Sequence, residues 1–310
     1  MDSRLLEYYL RVVELGSINR AAVDLGLSQP ALSRHIALLE HEMQAQLFIR
    51  SQGGVRLTEA GKLLTDRTRP LLRQFAILRE QVGERAAGQL SVGIPPSWHQ
   101  IFTSAFVLRL LDEYSQIMLR MHEGVSNLLR EHLLAGLLDL CVVPFDRAPA
   151  AGYKQTALLR EPLVLVGNAK SGLSCSEPVP ITYLDGLKLI LPARPNVLRT
   201  QIENALNHKA MAFRTIVETD TLRLCLELAE QGLGHTVVPA CALHEHGLGG
   251  MIRWAPIKRM SLTWSLYENE ARSHSPAVHE GRRLLLSTVR ASVESGHWYG
   301  VKLIGASLQE

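Results

Sequence analysis

The chain has 310 residues, too long for one ordinary domain and suited to two or three. Hydrophobic residues make up 46% of it, which excludes a disordered chain and supplies material for real cores. The formal net charge is only +3, and residues 1–85 hold 12 Lys/Arg against 10 Asp/Glu, so any nucleic-acid site must be built from placed rather than massed charge.

The opening MDSRLLEYYLRVVELG has no long apolar run and no small-residue cleavage site, so no signal peptide is expected. No stretch reaches the ~18 apolar residues of a membrane helix. The nearest, LLAGLLDLCVVPF, is interrupted by Asp139. Cys141, Cys175, Cys225 and Cys241 lie far apart, unlike the patterned spacing of disulfide scaffolds or zinc sites. The expectation is a cytoplasmic chain with reduced thiols, no metal, no resident cofactor and no membrane association.

The first elements are helical. Leu5, Leu6, Tyr9, Val12 and Val13 share one face, and Gly16 ends the run. Ser17 can cap a second helix whose inward stripe is Ile18, Ala21, Ala22 and Leu25; the two alanines allow close approach of another helix. Gly26 stops it. Ser28 caps a third helix with Pro30 in its first turn, where a missing N–H costs nothing, and Leu32, Ile36 and Leu39 form its buried stripe. Two short helices joined around a glycine form a helix-turn-helix.

On the outer face of the third helix, Gln29 and Ser33 are one turn apart, with Pro30 and Arg34 in the adjacent row. Gln pairs bidentately with adenine, Ser with several bases, and Arg with guanine or phosphate. On this helix alone, a solvated polar face explains the same residues equally well. The following LFIRSQGGVRLTEAG alternates apolar and polar around Gly53-Gly54, a hairpin signal, with Arg50 and Arg56 flanking the tip. Helix-turn-helix plus basic hairpin is a winged helix.

The run GSINRAAVDLGLSQPALSRHIALLEHEMQAQLFIRSQGGVRLTEAG resembles the N-terminal module of LysR-type transcriptional regulators. It carries the Ala-Ala pair, Ser-Gln-Pro-Ala-Leu-Ser opening the third helix, Leu-Glu near its end, Leu-Phe-x-Arg and Leu-Thr-x-x-Gly. The resemblance implies that Gln29, Pro30, Ser33 and Arg34 meet the major groove, with Ser28 also among the DNA-binding residues. It places Arg20, Arg50 and Arg56 near phosphate or the wing's groove. It extends more loosely over the rest of the chain.

Thr58 can cap a helix reaching about Arg85, which would be roughly 42 Å long. Leu64, Thr68, Leu71, Phe75, Leu78 and Val82 recur at alternating spacings of four and three, a heptad pattern suited to a partner helix. Pro70 should bend it. The resemblance makes this a linker helix that pairs with a second copy. Two recognition helices in a dimer imply an inverted-repeat operator.

After ERAAGQ, short apolar runs alternate with helical stretches. Strands are expected at 90–94, 117–121, 138–143, 163–167, 187–191, 214–217 and 235–238. Helices are expected at 100–111, 128–134, 197–206, 222–230 and 276–293. Such alternation means α/β with largely parallel sheets. The organisation is thus a winged helix-turn-helix at 1–57, a linker helix at 58–87 and a regulatory domain at 88–310. That domain divides into lobe I (about 90–162 and 268–295) and lobe II (about 163–267). The family resemblance implies a periplasmic-binding-protein-like α/β pair of lobes joined by two crossing strands.

Ligands of open α/β sheets sit beyond the strand C-termini, at helix starts. GIPPSWHQ there offers Ser97, Trp98 and His99; HEGVSNLL offers Ser126, as an N-cap, and Asn127; LPARPNVLR offers Asn196 and Arg199; ETDTLRL offers Asp220 and Thr221; GLGHTVVP offers His235 and Thr236. Helix N-termini favour anions, so an anionic small-molecule effector is expected, although such Ser and Thr residues more often only cap helices. Trp98 could stack on a ring or close the cleft. No nucleophile elbow, phosphate loop or His-Glu-x-x-His occurs, and HEH at 244–246 is too local to supply a metal site, so no enzyme is expected. The resemblance also implies a dimer of dimers, and contact with RNA polymerase.

Overall fold

The computed structural model describes residues 2–51, 54–82, 88–144, 148–246 and 252–304. The chain divides into two compact units, residues 1–85 with 135–137 and residues 86–134 with 138–310.

The first unit opens with α1 (Ser3–Leu15), capped by Asp2 and ended by left-handed Gly16. Ser17 caps α2 (Ile18–Asp24), and Ser28 caps α3 (Gln29–Met43). Leu5, Leu6, Tyr9, Val12, Ala21, Ala22, Leu32, Ile36 and Leu39 form one buried core. Hairpin strands β1 (Phe48–Ser51) and β2 (Gly54–Leu57) pair antiparallel. The tip residues Gln52 and Gly53 and the side chain of Arg50 lie outside the described set.

The sequence motifs acquire physical reasons here. The Glu40 carboxylate accepts from the amides of Leu47 (2.8 Å) and Phe48 (3.2 Å), fixing how α3 hands over to the hairpin. Thr58 accepts from Gly61 N–H at 2.9 Å and donates to the Gln46 carbonyl. It thereby caps α4 (Glu59–Val82). A Cβ at Gly61 would collide with the Leu47 carbonyl, and the Gly61 carbonyl accepts from Tyr9 at 2.6 Å. Helix α4 continues through Pro70. Its predicted heptad stripe splits. Leu64 packs on the unit's own core and Thr68 is buried, whereas Leu71 and Phe75 are exposed. The side chains of Leu78 and Val82, and residues 83–85, fall outside the described set.

The second unit is built on β3 (Gln89–Ile94), β4 (Met118–Glu123), β5 (Leu140–Pro144), β6 (Tyr153–Asn168), β7 (Lys188–Pro192), β8 (Arg214–Thr219), β9 (His235–Pro239), β10 (Ile252–Asn269) and a short β11 (Lys302–Leu303). Their helices are α5 (Ser104–Glu113), α6 (Ser126–Leu134), α7 (Val197–Asn207), α8 (Leu222–Glu230) and α9 (Pro276–Glu294). The strand order is β4-β3-β5-β10-β6-β9-β7-β8, with β11 on β6. Strands β3, β4 and β5 are parallel in one lobe, and β7, β8 and β9 in the other. The joining pairs β5/β10, β10/β6 and β6/β9 are antiparallel, so the sheet is mixed at its centre.

The two long strands β6 and β10 run through both lobes. Residue pattern alone finds only 163–167 of β6 and none of β10, because each strand changes sheet neighbours midway and so changes its buried face. In β10, residues 264–268 ladder onto β5, so the lobe border drawn at 267/268 falls earlier, near the register break between Pro256 and Ser261. The helix expected at 100–111 also starts late. A short 3-10 turn (Pro96–Trp98) and a π turn (His99–Thr103) precede α5, an irregular backbone of the kind that accompanies functional sites.

Two interior polar knots tie the second unit together. Arg272 donates to Asp139 at 2.8 Å with both side chains 1% exposed, while the other Asp139 oxygen accepts from Ser91 N–H at 2.8 Å. Glu161, fully buried on β6, accepts from the Trp264 indole, the Trp298 indole (2.7 Å), and the Cys241 amide (2.9 Å) and thiol (3.2 Å). Burial pushes its pKa up, and the four donors pull it back.

Candidate nucleic-acid interface and ligand cleft

In the first unit, capping and the apolar stripe turn one face of α3 inward and leave Gln29, Pro30 and Arg34 exposed, with Ser33 half-buried between them. Gln29 donates to the Ser33 hydroxyl at 2.8 Å, so the two act as a paired polar surface. Arg34 donates to the Pro30 carbonyl at 3.4 Å. Ser28 is exposed, its hydroxyl accepting from Ala31 N–H. Arg20 stands exposed on α2 and reaches the Leu15 carbonyl. Arg56 is exposed on β2 opposite Ile49. The helix-turn-helix and its hairpin therefore carry the described predicted residues exposed, apart from the half-buried Ser33. Arg50 lies on β1, but its side chain is outside the described set.

In the second unit, a cavity of about 530 Å³ lies where strands β3, β5, β7 and β9 end. Each of these ends is marked by a proline, at Pro95, Pro144, Pro192 and Pro239, and all four line the cavity. The size suits a small metabolite. Ser97, 4% exposed, lines it and its hydroxyl makes no hydrogen bond among the described residues. Ser126 lines it as the first residue of α6 and not as the expected N-cap. Asn196 and Thr221 line it as caps of α7 and α8, accepting from Arg199 N–H (3.1 Å) and Leu224 N–H (3.3 Å). The capping reading of Thr221 is correct, Asn196 is a cap that the sequence reading did not anticipate, and both still face the cavity.

Five predicted contacts are corrected. Trp98 is fully buried, edge-on to Phe102, Trp264 and Trp298 at 5.0–5.4 Å between ring centres, so it is core and offers no stacking face to the cleft. It lies on the inward side of the same short turn that presents Ser97. Arg199 is buried under α7, held by Glu203 (2.6 Å) and Glu218 (3.1 Å), and does not line the cavity. His235 and Thr236 start β9, at the opposite strand end from Pro239. Burial pushes the His235 pKa down, and Thr236 is fully buried beside Cys225. Asn127 donates to the Pro195 carbonyl at 2.7 Å and lines two smaller neighbouring cavities instead.

Sequence reasoning missed Glu123, Arg223, Leu262 and Trp264 as lining residues, and the four prolines. The prolines were legible: each ends an apolar run, in GIPP, VVPF, LILPA and VVPAC, and proline cannot extend a central ladder. Trp264 was not legible, since it arrives from β10. Glu123 receives His99 Nδ1 at 2.8 Å at an exposed edge. The Cys141 and Cys225 thiols, pushed by burial up to about 12 and about 11, are not thiolates at neutral pH. Among the described residues no helix is long and apolar enough to cross a membrane.

A helix-turn-helix with a hairpin wing, followed by a two-lobed α/β unit with a cleft at its strand ends, is the architecture of a DNA-binding regulator with a ligand-binding domain. The model of the lysR-family bacterial regulatory helix-turn-helix protein matches residues 3–62, and that of the LysR substrate binding domain matches residues 83–290. The chain belongs to the LysR family of transcriptional regulators, which are regulators rather than enzymes. It is 33% identical to the nitrogen assimilation regulatory protein Nac of Klebsiella aerogenes over 95% of this chain and 98% of that one. It is 30% identical to the regulator BbuR of Bordetella bronchiseptica over 97% and 94%. Among solved structures, CbnR in complex with its target DNA matches with a TM-score of 0.68 at 22% identity, over 94% of this chain and all of that one. Full-length OxyR of Pseudomonas aeruginosa matches at 0.67 and 24%, over 94% and 95%.

Proposed function

We propose that this chain is a cytoplasmic, effector-switched regulator. It binds an inverted-repeat operator as a dimer through residues 58–85, assembles further into a tetramer, and contacts RNA polymerase. The observation that carries the switching is the cavity of about 530 Å³ at the strand ends, lined by the first residue of α6 and by a buried Ser97 with no hydrogen bond among the described residues. Free N–H groups of a helix's first turn and serine hydroxyls are donors without acceptors, the complement of an anionic group. Effector binding between the lobes favours one placement of them and so biases the paired DNA-binding units; this is a coupling between two sites. Exposed Leu71 and Phe75 on α4 support self-association, since single apolar side chains on a helix face are covered economically by a second copy.

Base reading is assigned to Gln29, Ser33 and Arg34, and phosphate contact to Arg20, Arg50 and Arg56. Ser33→Ala should then lose about 1–3 kcal/mol at one operator position only. Arg56→Ala should weaken all operator variants alike and lower the salt slope by about one. Titrations against single-base operator variants at several salt concentrations decide it, and equal losses everywhere for both changes would refute the division. Ser126→Ala should blunt the effector dose-response in footprinting while operator affinity without effector stays unchanged. An unaltered dose-response would remove Ser126 from the site.

A further inference from the structure

Resting on the effector reading above, we propose that the effector is a zwitterion, an amino acid or a close relative, whose carboxylate is taken by Ser97 and Ser126 and whose ammonium is taken by Asp220. The two lobes offer the cavity opposite chemistry. From lobe I come the Ser97 hydroxyl, 4% exposed and unbonded among the described residues, and the start of α6 with Ser126. Both donate, and α6 brings the positive end of its dipole. From lobe II comes Asp220, which lines the same cavity and has no hydrogen bond or ion pair among the described residues.

A ligand that is only anionic meets poor conditions here. The cavity's arginine, Arg223, is paired with Glu227 at 2.9 Å, while Asp220 and Glu123 both present carboxylates. A ligand that is only cationic leaves the first-turn N–H groups of α6 without an acceptor and faces the positive end of that helix's dipole. A molecule carrying both charges satisfies both walls. Between them the prolines, Leu262 and Trp264 form an apolar waist that fits an aliphatic or aromatic body. Asp220 and Ser97 approach from different lobes, so one zwitterion also bridges them, which links ligand charge to lobe placement.

The test uses the full-length protein in thermal-shift and calorimetric titrations. The probes are the proteinogenic amino acids and short ω-amino acids, each beside its deamino carboxylate and its decarboxylated amine. The expected result is an amino acid that binds at least about tenfold tighter than either truncated analogue. Asp220→Asn, at an exposed position, should keep the unliganded melting temperature. It should cost the amino acid at least about tenfold while leaving the deamino carboxylate unchanged or stronger. Ser97→Ala should weaken amino acid and carboxylate together. A carboxylate that binds as tightly as its amino acid, or an amino-acid preference that survives Asp220→Asn, overturns the zwitterion while leaving an effector cleft in place. Failure of every probe to bind also overturns it. A later small-molecule binder without an amine would then show that the effector reading stands alone.

Discussion

Asp139→Ala is expected to lower the stability of the second unit by about 3–5 kcal/mol, because it leaves Arg272 charged and buried. Both partners are 1% exposed, and the carboxylate also holds the Ser91 amide of β3. The knot joins β3, the start of β5 and the turn before α9, so its loss should loosen lobe I first. For a unit of this size, the melting temperature should drop by roughly 10 °C. Thermal unfolding followed by circular dichroism measures this, and a loss under about 1 kcal/mol would show that Arg272 is satisfied without Asp139. Replacing both residues by apolar ones of similar volume should recover much of the loss, since a buried ion pair adds little over a well-packed apolar pair.

The second large effect concerns Trp98. As a core residue wedged among Phe102, Trp264 and Trp298, its replacement by alanine should cost about 3–5 kcal/mol through lost burial and a cavity. As a ligand-stacking residue it would instead be replaced at little cost to the free protein, with the penalty appearing in effector affinity. Denaturant unfolding of the unliganded Trp98→Ala protein separates the two: a stability change within about 0.5 kcal/mol of the parent contradicts the core assignment. The neighbouring Ser97→Ala should behave in the reverse way, with small stability loss and altered effector response. Adjacent residues on one tight turn thus divide into packing and binding by the side of the chain they face.

The reading of Trp98 illustrates what local sequence conveys. GIPPSWHQ announces a strand end and a helix start, and that much is correct. The turn's π and 3-10 geometry decides which side chain points inward, and this depends on the indoles of Trp264 and Trp298 arriving from β10 and the segment after α9. For the same reason Arg199 reads as a cleft residue from the sequence and is structural in the fold. Its partner Glu203 is one helical turn away, but Glu218 lies on a neighbouring strand.

The sequence by itself determined the first unit. Its caps Ser17, Ser28 and Thr58, its glycines and its apolar stripes act over a few residues, and local signals suffice where local interactions decide. It also determined the alternation of strands and helices beyond residue 88, and which helix starts meet the cleft. Only the tertiary structure decided the central strands β6 and β10, because a strand that passes from one sheet environment to another has no single periodicity to read. The tertiary structure also decided the composition of the cavity. Glu123 and Asp220 become neighbours of Ser97 through parallel strands that end together, and Trp264 joins them from the antiparallel β10, a relation set by sheet order and absent from any stretch of sequence.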